Sequence, residues 1–382
     1  MKTAIITFIR AYNYGATLQA YALQKSLQKL GLEADVLDYA PNYFKELYWL
    51  RFISQKMRRR PYRPLKKWLK YQIAKKRLQQ RNKKYERFIS EWIRLSEKQY
   101  RSQQDLDNDP SYSAYIVGSD QVWCAALTNF DPVFFLNWAH PKRPLRFSYA
   151  ASFGEAPIPD NLVEEYKQQL SGWDAHSVRE NSGVRLLHSL INEPVLQCCD
   201  PSLLLSAPEW NKIAAKKVSF RKPYILVYYV NNILNVADHA KKLQQKTGLD
   251  VLLFTSITQE EQLLANIGRA YGFLHMVTAA PNEFLTYIKN AEYTVSDSFH
   301  CAVLSIIFHK QFYITPLQGS NTMNSRVADL LSCLGIERKT DIEGIDDPIK
   351  WDQVDIALRE YRQKSLDYLN SIVSIICPEK GG

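Results

Sequence analysis

Tyr293-Thr294-Val295-Ser296-Asp297-Ser298-Phe299-His300-Cys301-Ala302-Val303-Leu304-Ser305-Ile306-Ile307-Phe308 decides the fold. Its opening β-branched and aromatic residues read as the end of a buried strand, and the apolar run from Ser298 onward reads as a buried helix. A strand becomes a helix within three polar residues. Ser296, Asp297 and Ser298 supply N-cap oxygens, which sets His300 in the first helical turn, where backbone N–H groups and the positive end of the helix dipole point outward. That is an anion site beside a titratable imidazole. The plainer reading is an ordinary cap with a surface histidine.

The same alternation extends on both sides. Tyr224 to Tyr229, Val251 to Thr255 and Phe312 to Ile314 read as strands, with helices at Ile233 to Thr247, Asn282 to Asn290 and Val327 to Leu334. Toward the N-terminus, Thr3 to Phe8, a helix over Ala16 to Leu30 stopped by Gly31, and Glu33 to Tyr39 form a βαβ unit and imply a parallel sheet. Further short strands follow at Tyr112 to Val117, Leu145 to Ala150, Ala175 to Val178 and Val195 to Cys199. The expected architecture is α/β, with two doubly wound Rossmann-like domains. Residues 1–207 form the first, carrying a basic helical insertion over about 41–97, and residues 208–350 the second. Residues 351–382 form a helix expected to pack back on the first.

Polar or glycine-bearing turns follow these strands, at the edge where ligands bind in open α/β sheets. After the first comes Arg10-Ala11-Tyr12-Asn13-Tyr14-Gly15, which lacks the G-x-G-x-x-G dinucleotide fingerprint. Gly118-Ser119-Asp120-Gln121-Val122-Trp123 follows another, where small residues permit close backbone approach and Ser119, Asp120 and Gln121 offer polar contacts.

The 382 residues exceed the roughly 250 to 300 that a single core holds, consistent with two domains. Ile5 to Ile9 is too short for a signal-peptide core and ends at Arg10, so a cytoplasmic protein is expected. The six cysteines show no C-x-x-C pair, and no metal site is expected. The net charge of +10 is local: fifteen Lys or Arg and no acidic residue lie between Arg51 and Lys84, leaving the remainder near −5. Tyr62, Trp68 and Tyr71 interleave with Arg58, Arg59, Arg60, Lys66, Lys67, Lys70, Lys75 and Lys76. That pattern suits a helix on an anionic membrane surface. A solvated arm or a nucleic-acid grip would use the same residues, but the strand-end motifs lie elsewhere and no nucleic-acid partner is expected.

Six blocks together carry a resemblance. Asn13-Tyr14-Gly15-Ala16 with Leu18-Gln19-Ala20-Tyr21-Ala22-Leu23, Gly118 to Trp123, Ser148-Tyr149-Ala150-Ala151-Ser152-Phe153-Gly154, Ser177-Val178-Arg179-Glu180, Asp200-Pro201-Ser202-Leu203-Leu204 and Ser296-Asp297-Ser298-Phe299-His300 resemble, in order, the polysaccharide pyruvyl transferase family. Cys301 stands where the family usually has Gly. The resemblance implies transfer of the enolpyruvyl carbons of phosphoenolpyruvate to two hydroxyls of a sugar. Phosphoenolpyruvate is then a co-substrate with no further cofactor, and the acceptor is a glycosyl unit of the kind carried on undecaprenyl diphosphate. The domain arrangement matches that of GT-B glycosyltransferases, so a nucleotide-sugar glycosyltransferase is the alternative. Location is then the cytoplasmic face of the plasma membrane.

Such a donor carries a carboxylate and a phosphate, which forked guanidinium groups match. Arg179 and Arg326 are the candidates, with Ser296, Ser298, Asn13, Tyr14, Gly15, Ser119 and Gln121 lining the site. Ketal formation needs an acid and a base on either side of one carbon. His300 fits either role, and Asp120 and Asp297 are candidate bases, against the plainer reading of both aspartates as turn or cap residues.

Overall fold

The computed structural model describes residues 2–43, 65–107, 109–140, 142–154, 157–255, 261–276, 278–316, 324–337 and 342–378. The first half of the chain builds a parallel sheet from β1 (Thr3–Ile6), β2 (Ala34–Tyr39), β3 (Leu95–Tyr100), β4 (Ala114–Asp120), β5 (Leu145–Ala151), β6 (His176–Val178) and β7 (Val195–Gln197). Their spatial order is β3-β2-β1-β4-β5-β6-β7. The chain winds outward from β1 in one direction and then, beginning at β4, in the other, the doubly wound pattern. Between the strands run α1 (Tyr14–Lys29), α2 (Leu65–Trp92), α3 (Ala125–Thr128), α4 (Val163–Leu170) and α5 (Asn181–Ile191). After β7 come α6 (Pro201–Leu204) and α7 (Ala207–Ile213).

The second sheet repeats the pattern with five strands in the order β10-β9-β8-β11-β12. In chain order its elements are β8 (Tyr224–Tyr229), α8 (Ile233–Thr247), β9 (Asp250–Thr255), α9 (Glu261–Tyr271), β10 (Leu274–His275), α10 (Pro281–Asn290), β11 (Tyr293–Ser296), α11 (Phe299–Ile307), β12 (Gln311–Ile314) and α12 (Ser325–Cys333). All pairings in it are parallel. Each sheet therefore has a switch point, between β1 and β4 in the first and between β8 and β11 in the second. There the outgoing loops diverge and leave a crevice.

Burial explains why these stretches became strands. Every residue of β1 and β8 is buried, as required where helices cover both faces of a parallel sheet. The edge strands β3, β7 and β10 are less covered, and β3 leaves Glu97, Lys98 and Gln99 exposed. Residues 95–97 therefore correct the expectation of helix through residue 97: a strand this polar carries no hydrophobic signal. Gln24 on α1 secures it, because its side-chain amide donates to the carbonyls of Ala34 (2.9 Å) and Arg94 (2.8 Å) and accepts the Arg94 N–H (3.0 Å).

One buried cluster runs from α1 and the first sheet through Tyr14 into Tyr228, Phe284 and Phe299 of the second half. Tyr14 stacks on Phe284 with ring centroids 4.1 Å apart, and its hydroxyl donates to the Ala279 carbonyl at 3.1 Å. The terminal helix α13 (Trp351–Ile376) crosses between the halves. At its start Trp351 stacks on His309 of the second half. Further along, Ser365 Oγ accepts the Cys199 N–H (2.8 Å), and the Tyr368 hydroxyl donates to the Ser148 carbonyl (2.8 Å).

Candidate active site

Both switch points contribute to one cluster. Four strand ends and the turns beyond them meet in it: residues 12–15 beyond β1, 119–121 at the end of β4, 179–180 after β6 and 296–300 at the end of β11. Asp200, which begins α6, lies at their centre.

The halves approach each other closely at Gly15. A Cβ built there would stand 2.2 Å from His300 Nδ1, so only glycine leaves room for the imidazole. Asn13 shapes this corner as the N-cap of α1, its Oδ1 accepting the N–H groups of Gly15 (2.9 Å) and Ala16 (3.3 Å). His300 thus sits in the first turn of α11 and against the first turn of α1. Ser298 is the N-cap of α11 but makes no side-chain capping bond, contrary to the expectation that its oxygen would serve there. Ser296 instead donates its hydroxyl to the Tyr228 carbonyl and accepts the Ser298 N–H at 2.9 Å, tying β11 to β8.

On the other side of the imidazole is a buried charge network. Asp200 Oδ2 lies 3.5 Å from His300 Nε2 and accepts from Ser119 Oγ (3.0 Å) and Arg179 Nη1 (3.0 Å); Oδ1 accepts the Ser202 N–H (2.9 Å). Arg179 also donates from Nε to Glu180 Oε1 (2.9 Å), and its Nη2 stands 3.9 Å from Asp120 Oδ1 without a hydrogen bond. Burial raises the Asp200 carboxyl, but the charges of His300 and Arg179 outweigh it and hold the group well below the usual carboxylate range. For Arg179, burial works against the cation; Glu180, Asp200 and Asp120 outweigh it and push its pKa above the ordinary value. Phe299 closes the cluster, with the Arg179 guanidinium carbon 4.3 Å from its ring centroid.

His300 and Asp120 are the members of this network that reach solvent. Their side chains are each 12% exposed, against 2% for Arg179 and 0% for Asp200. The imidazole is therefore placed to touch a bound molecule, with the Asp200 carboxylate behind it. Asp120 faces the cluster from a strained backbone, at φ +73°, with Oδ1 accepting the Gln121 N–H (2.9 Å). The Gln121 side chain leans on the turn at Gly154, where an added Cβ would stand 2.7 Å from its Oε1.

The remaining candidates lie farther out. Asp297 accepts the N–H groups of Val230 (2.7 Å), Asn231 (2.8 Å) and Asn232 (2.9 Å), so its carboxylate holds the loop after β8; burial raises its pKa in spite of those bonds. Tyr14 is fully buried in the seam between the halves. Arg326 enters α12 half-buried, its Nε donating to Asn324 Oδ1 at 3.0 Å. One turn on, Asp329 accepts the Asn181 N–H at 2.8 Å, which draws the start of α12 to the end of β6 and hence toward Arg179. Cys301, in the place of the family's glycine, points into the core with 0% exposure, and burial pushes its thiol up to about 12.

Asp200 is the site residue that the sequence reading missed. It lies in one of the six blocks, but Asp-Pro-Ser after a strand also spells a helix cap, and Asp200 is that as well.

Several solved structures share the architecture. A UDP-N-acetylglucosamine 2-epimerase superposes with a TM-score of 0.55 at 9% identity, covering 100% of this chain and 97% of that one. The MnaA-UDP complex of S. aureus gives 0.51 at 14% identity over 98% and 96% of the two chains. A putative UDP-N-acetylglucosamine 2-epimerase from Listeria monocytogenes gives 0.51 at 9% identity over 98% and 95%. At such identities the likeness concerns the fold, GT-B-like with two Rossmann-like domains. No curated protein is similar enough in sequence to match. The model of one family, polysaccharide pyruvyl transferase, matches residues 13–316, a span that takes in Asp200 and, but for Tyr12, all four segments around it. The chain therefore belongs to the polysaccharide pyruvyl transferase family.

Proposed function

We propose that this protein transfers the enolpyruvyl group of phosphoenolpyruvate onto two hydroxyls of a sugar, forming a pyruvate ketal and releasing phosphate. The observation that carries the reading is His300: a solvent-reaching imidazole on a helix N-terminus, wedged against Gly15 and 3.5 Å from the ionised Asp200.

In the proposed reaction the methylene carbon of the donor takes a proton while one sugar oxygen bonds to the adjacent carbon. The second sugar oxygen then displaces phosphate and closes the ring. Of the two hydroxyl protons, one ends on the new methyl group and the other leaves with phosphate. A carboxylate beside Nε2 favours the tautomer protonated there and leaves Nδ1 to exchange a proton. His300 then serves as the acid or base, with Asp120 as its counterpart across the cluster. The donor's anionic groups fall to Arg179 Nη2, Arg326 and the open N-terminus of α11, each suited to oxyanions.

The acceptor in this reading is a glycosyl unit on a lipid diphosphate, met at the cytoplasmic membrane face through the basic residues 51–84. Arg58, Arg59, Arg60 and Tyr62 lie outside the described residues. The side chains of Lys66, Lys67, Trp68, Lys70 and Tyr71 do too. Among the described residues no helix is long and apolar enough to cross a membrane. Co-sedimentation with anionic but not neutral vesicles tests the contact.

The deciding experiment incubates the protein with phosphoenolpyruvate and a panel of glycosyl lipids, reading phosphate release together with ketal mass gain. His300→Ala should abolish both while remaining folded. Wild-type turnover in that variant excludes this site. Stabilisation by UDP- or GDP-sugars in place of phosphoenolpyruvate would favour nucleotide-sugar transfer, since only a native-state ligand raises the melting temperature by mass action.

A further inference from the structure

Arg81 on α2 is 2% exposed and, among the described residues, forms no salt bridge. Its Nη2 donates to the Tyr12 carbonyl at 2.7 Å and approaches the Tyr85 hydroxyl at 3.5 Å, while its Nε has no hydrogen-bond partner. Aromatic faces supply the rest of its surroundings, the guanidinium carbon lying 5.0 Å from the Tyr85 ring centroid and 5.8 Å from that of Tyr14. Cation–π contacts recover part of the lost hydration, but a buried charge is ordinarily matched by an opposite one.

Two carboxylates on α2 and α10 are already committed. Glu86, also on α2, receives Arg10 Nη1 at 2.6 Å and the Tyr12 hydroxyl. Glu283 on α10 receives Lys84 Nζ at 2.7 and 2.9 Å and the Ala280 N–H at 2.7 Å. Arg179 is the opposite case, a buried guanidinium with three carboxylates around it. Among the described residues, positive charge thus goes unmatched at Arg81 while negative charge gathers around Arg179.

The location gives the imbalance a use. Tyr12, whose carbonyl Arg81 holds, is three residues before Gly15, the residue against which His300 is wedged. Tyr14, between them, meets Tyr228 of β8 with ring centroids 5.8 Å apart, and the Tyr228 carbonyl holds Ser296 at the end of β11. Arg81 and His300 therefore flank the same loop, at the facing carboxyl ends of two parallel sheets.

We infer that Arg81 is the seat of a substrate oxyanion, a phosphoryl group that supplies a counter-charge the described residues do not. Two bound molecules could bring that phosphoryl group, the phosphoenolpyruvate donor or a glycosyl diphosphate acceptor. That choice rests on the proposed reaction; the oxyanion seat does not.

The test is calorimetric titration of the full chain with inorganic phosphate, which requires no turnover. Arg81→Met should bind one fewer phosphate per chain, or bind it at least tenfold more weakly, and should melt at or above the wild-type temperature without ligand because no charge is left to bury. Unchanged phosphate stoichiometry and affinity in Arg81→Met overturns the inference and leaves the transfer chemistry standing. If Arg81→Met does not fold, Arg81→Lys decides: it keeps the charge and loses the fork, so phosphate should bind several-fold more weakly, and wild-type affinity again overturns the seat. In the same variant a raised KM for phosphoenolpyruvate alone assigns the phosphoryl group to the donor, and a raised KM for the glycosyl diphosphate alone assigns it to the acceptor. No change in either KM rejects both assignments and leaves the phosphate titration to decide the seat.

Discussion

Asp200 joins stability to the candidate chemistry in one side chain. Its carboxylate, with 0% side-chain exposure, accepts from Ser119, Arg179 and Ser202 and stands beside His300. Asp200→Asn keeps the shape and removes the charge, leaving Arg179 with Glu180 and the more distant Asp120. Breaking a buried pair from one side costs about 3 to 5 kcal/mol, and the remaining carboxylates place this case near the lower end. Urea unfolding should show that loss at neutral pH. The sign with pH follows from the depressed folded pKa. The wild-type contribution is complete above the unfolded value of about 4 and is lost as pH falls toward the folded one, so the two proteins should converge in acid. Phosphate release should fall more steeply than stability, since Asn offers His300 no charge.

Among the elements, the approach of α1 to α11 is decided at Gly15. Glycine inside a helix is ordinarily a loss, and Ala there gains roughly 0.5 to 1 kcal/mol of helix propensity. A Cβ 2.2 Å from His300 Nδ1 is far inside van der Waals contact, and overpacking of that kind costs about 1 to 3 kcal/mol. The second effect wins. Gly15→Ala should therefore lower the melting temperature slightly while displacing the imidazole, and a misplacement of about 1 Å can cost on the order of a hundredfold in rate. Wild-type turnover in Gly15→Ala would mean that His300 does not work from its observed position. Helices with an apolar stripe and strands buried on both faces were legible in the sequence; α8 was predicted at its observed bounds of Ile233–Thr247. Where that pattern is weak the reading failed. Strand β3 presents three exposed polar residues, and β10 is two residues long. The site was legible in part for the same reason: His300, Arg179 and Asp120 follow strands whose ends can be read, whereas Asp200 and Arg81 depend on which charges meet across the fold.

At the scale of the whole molecule, the two halves share one hydrophobic cluster, and α13 belongs to both. Tyr368, Leu369, Ile372 and Ile376 are 5%, 0%, 0% and 1% exposed, so one face of this helix is core. Burying a large apolar side chain contributes roughly 1.5 to 3 kcal/mol, and four of them together contribute on the order of 6 to 12. That rivals the total stability of a domain, about 5 to 15 kcal/mol. The hydrogen bonds add to it, Arg362 Nε donating to the Leu203 carbonyl at 2.6 Å and Ser365 receiving Cys199. These two contacts bracket Asp200, so α13 also braces the residue beside His300. A chain ending at Lys350 should therefore fail to fold cooperatively, with the first sheet losing amide-exchange protection around Ser148 and residues 198–204. Charge reversals at the exposed Glu360 and Lys364 should leave both stability and turnover close to wild type, because that face of the helix meets solvent. A truncated chain that kept native exchange protection at residues 198–204 would show that Asp200 is held without the helix, and its place would then rest on the Arg179 and Ser119 contacts alone.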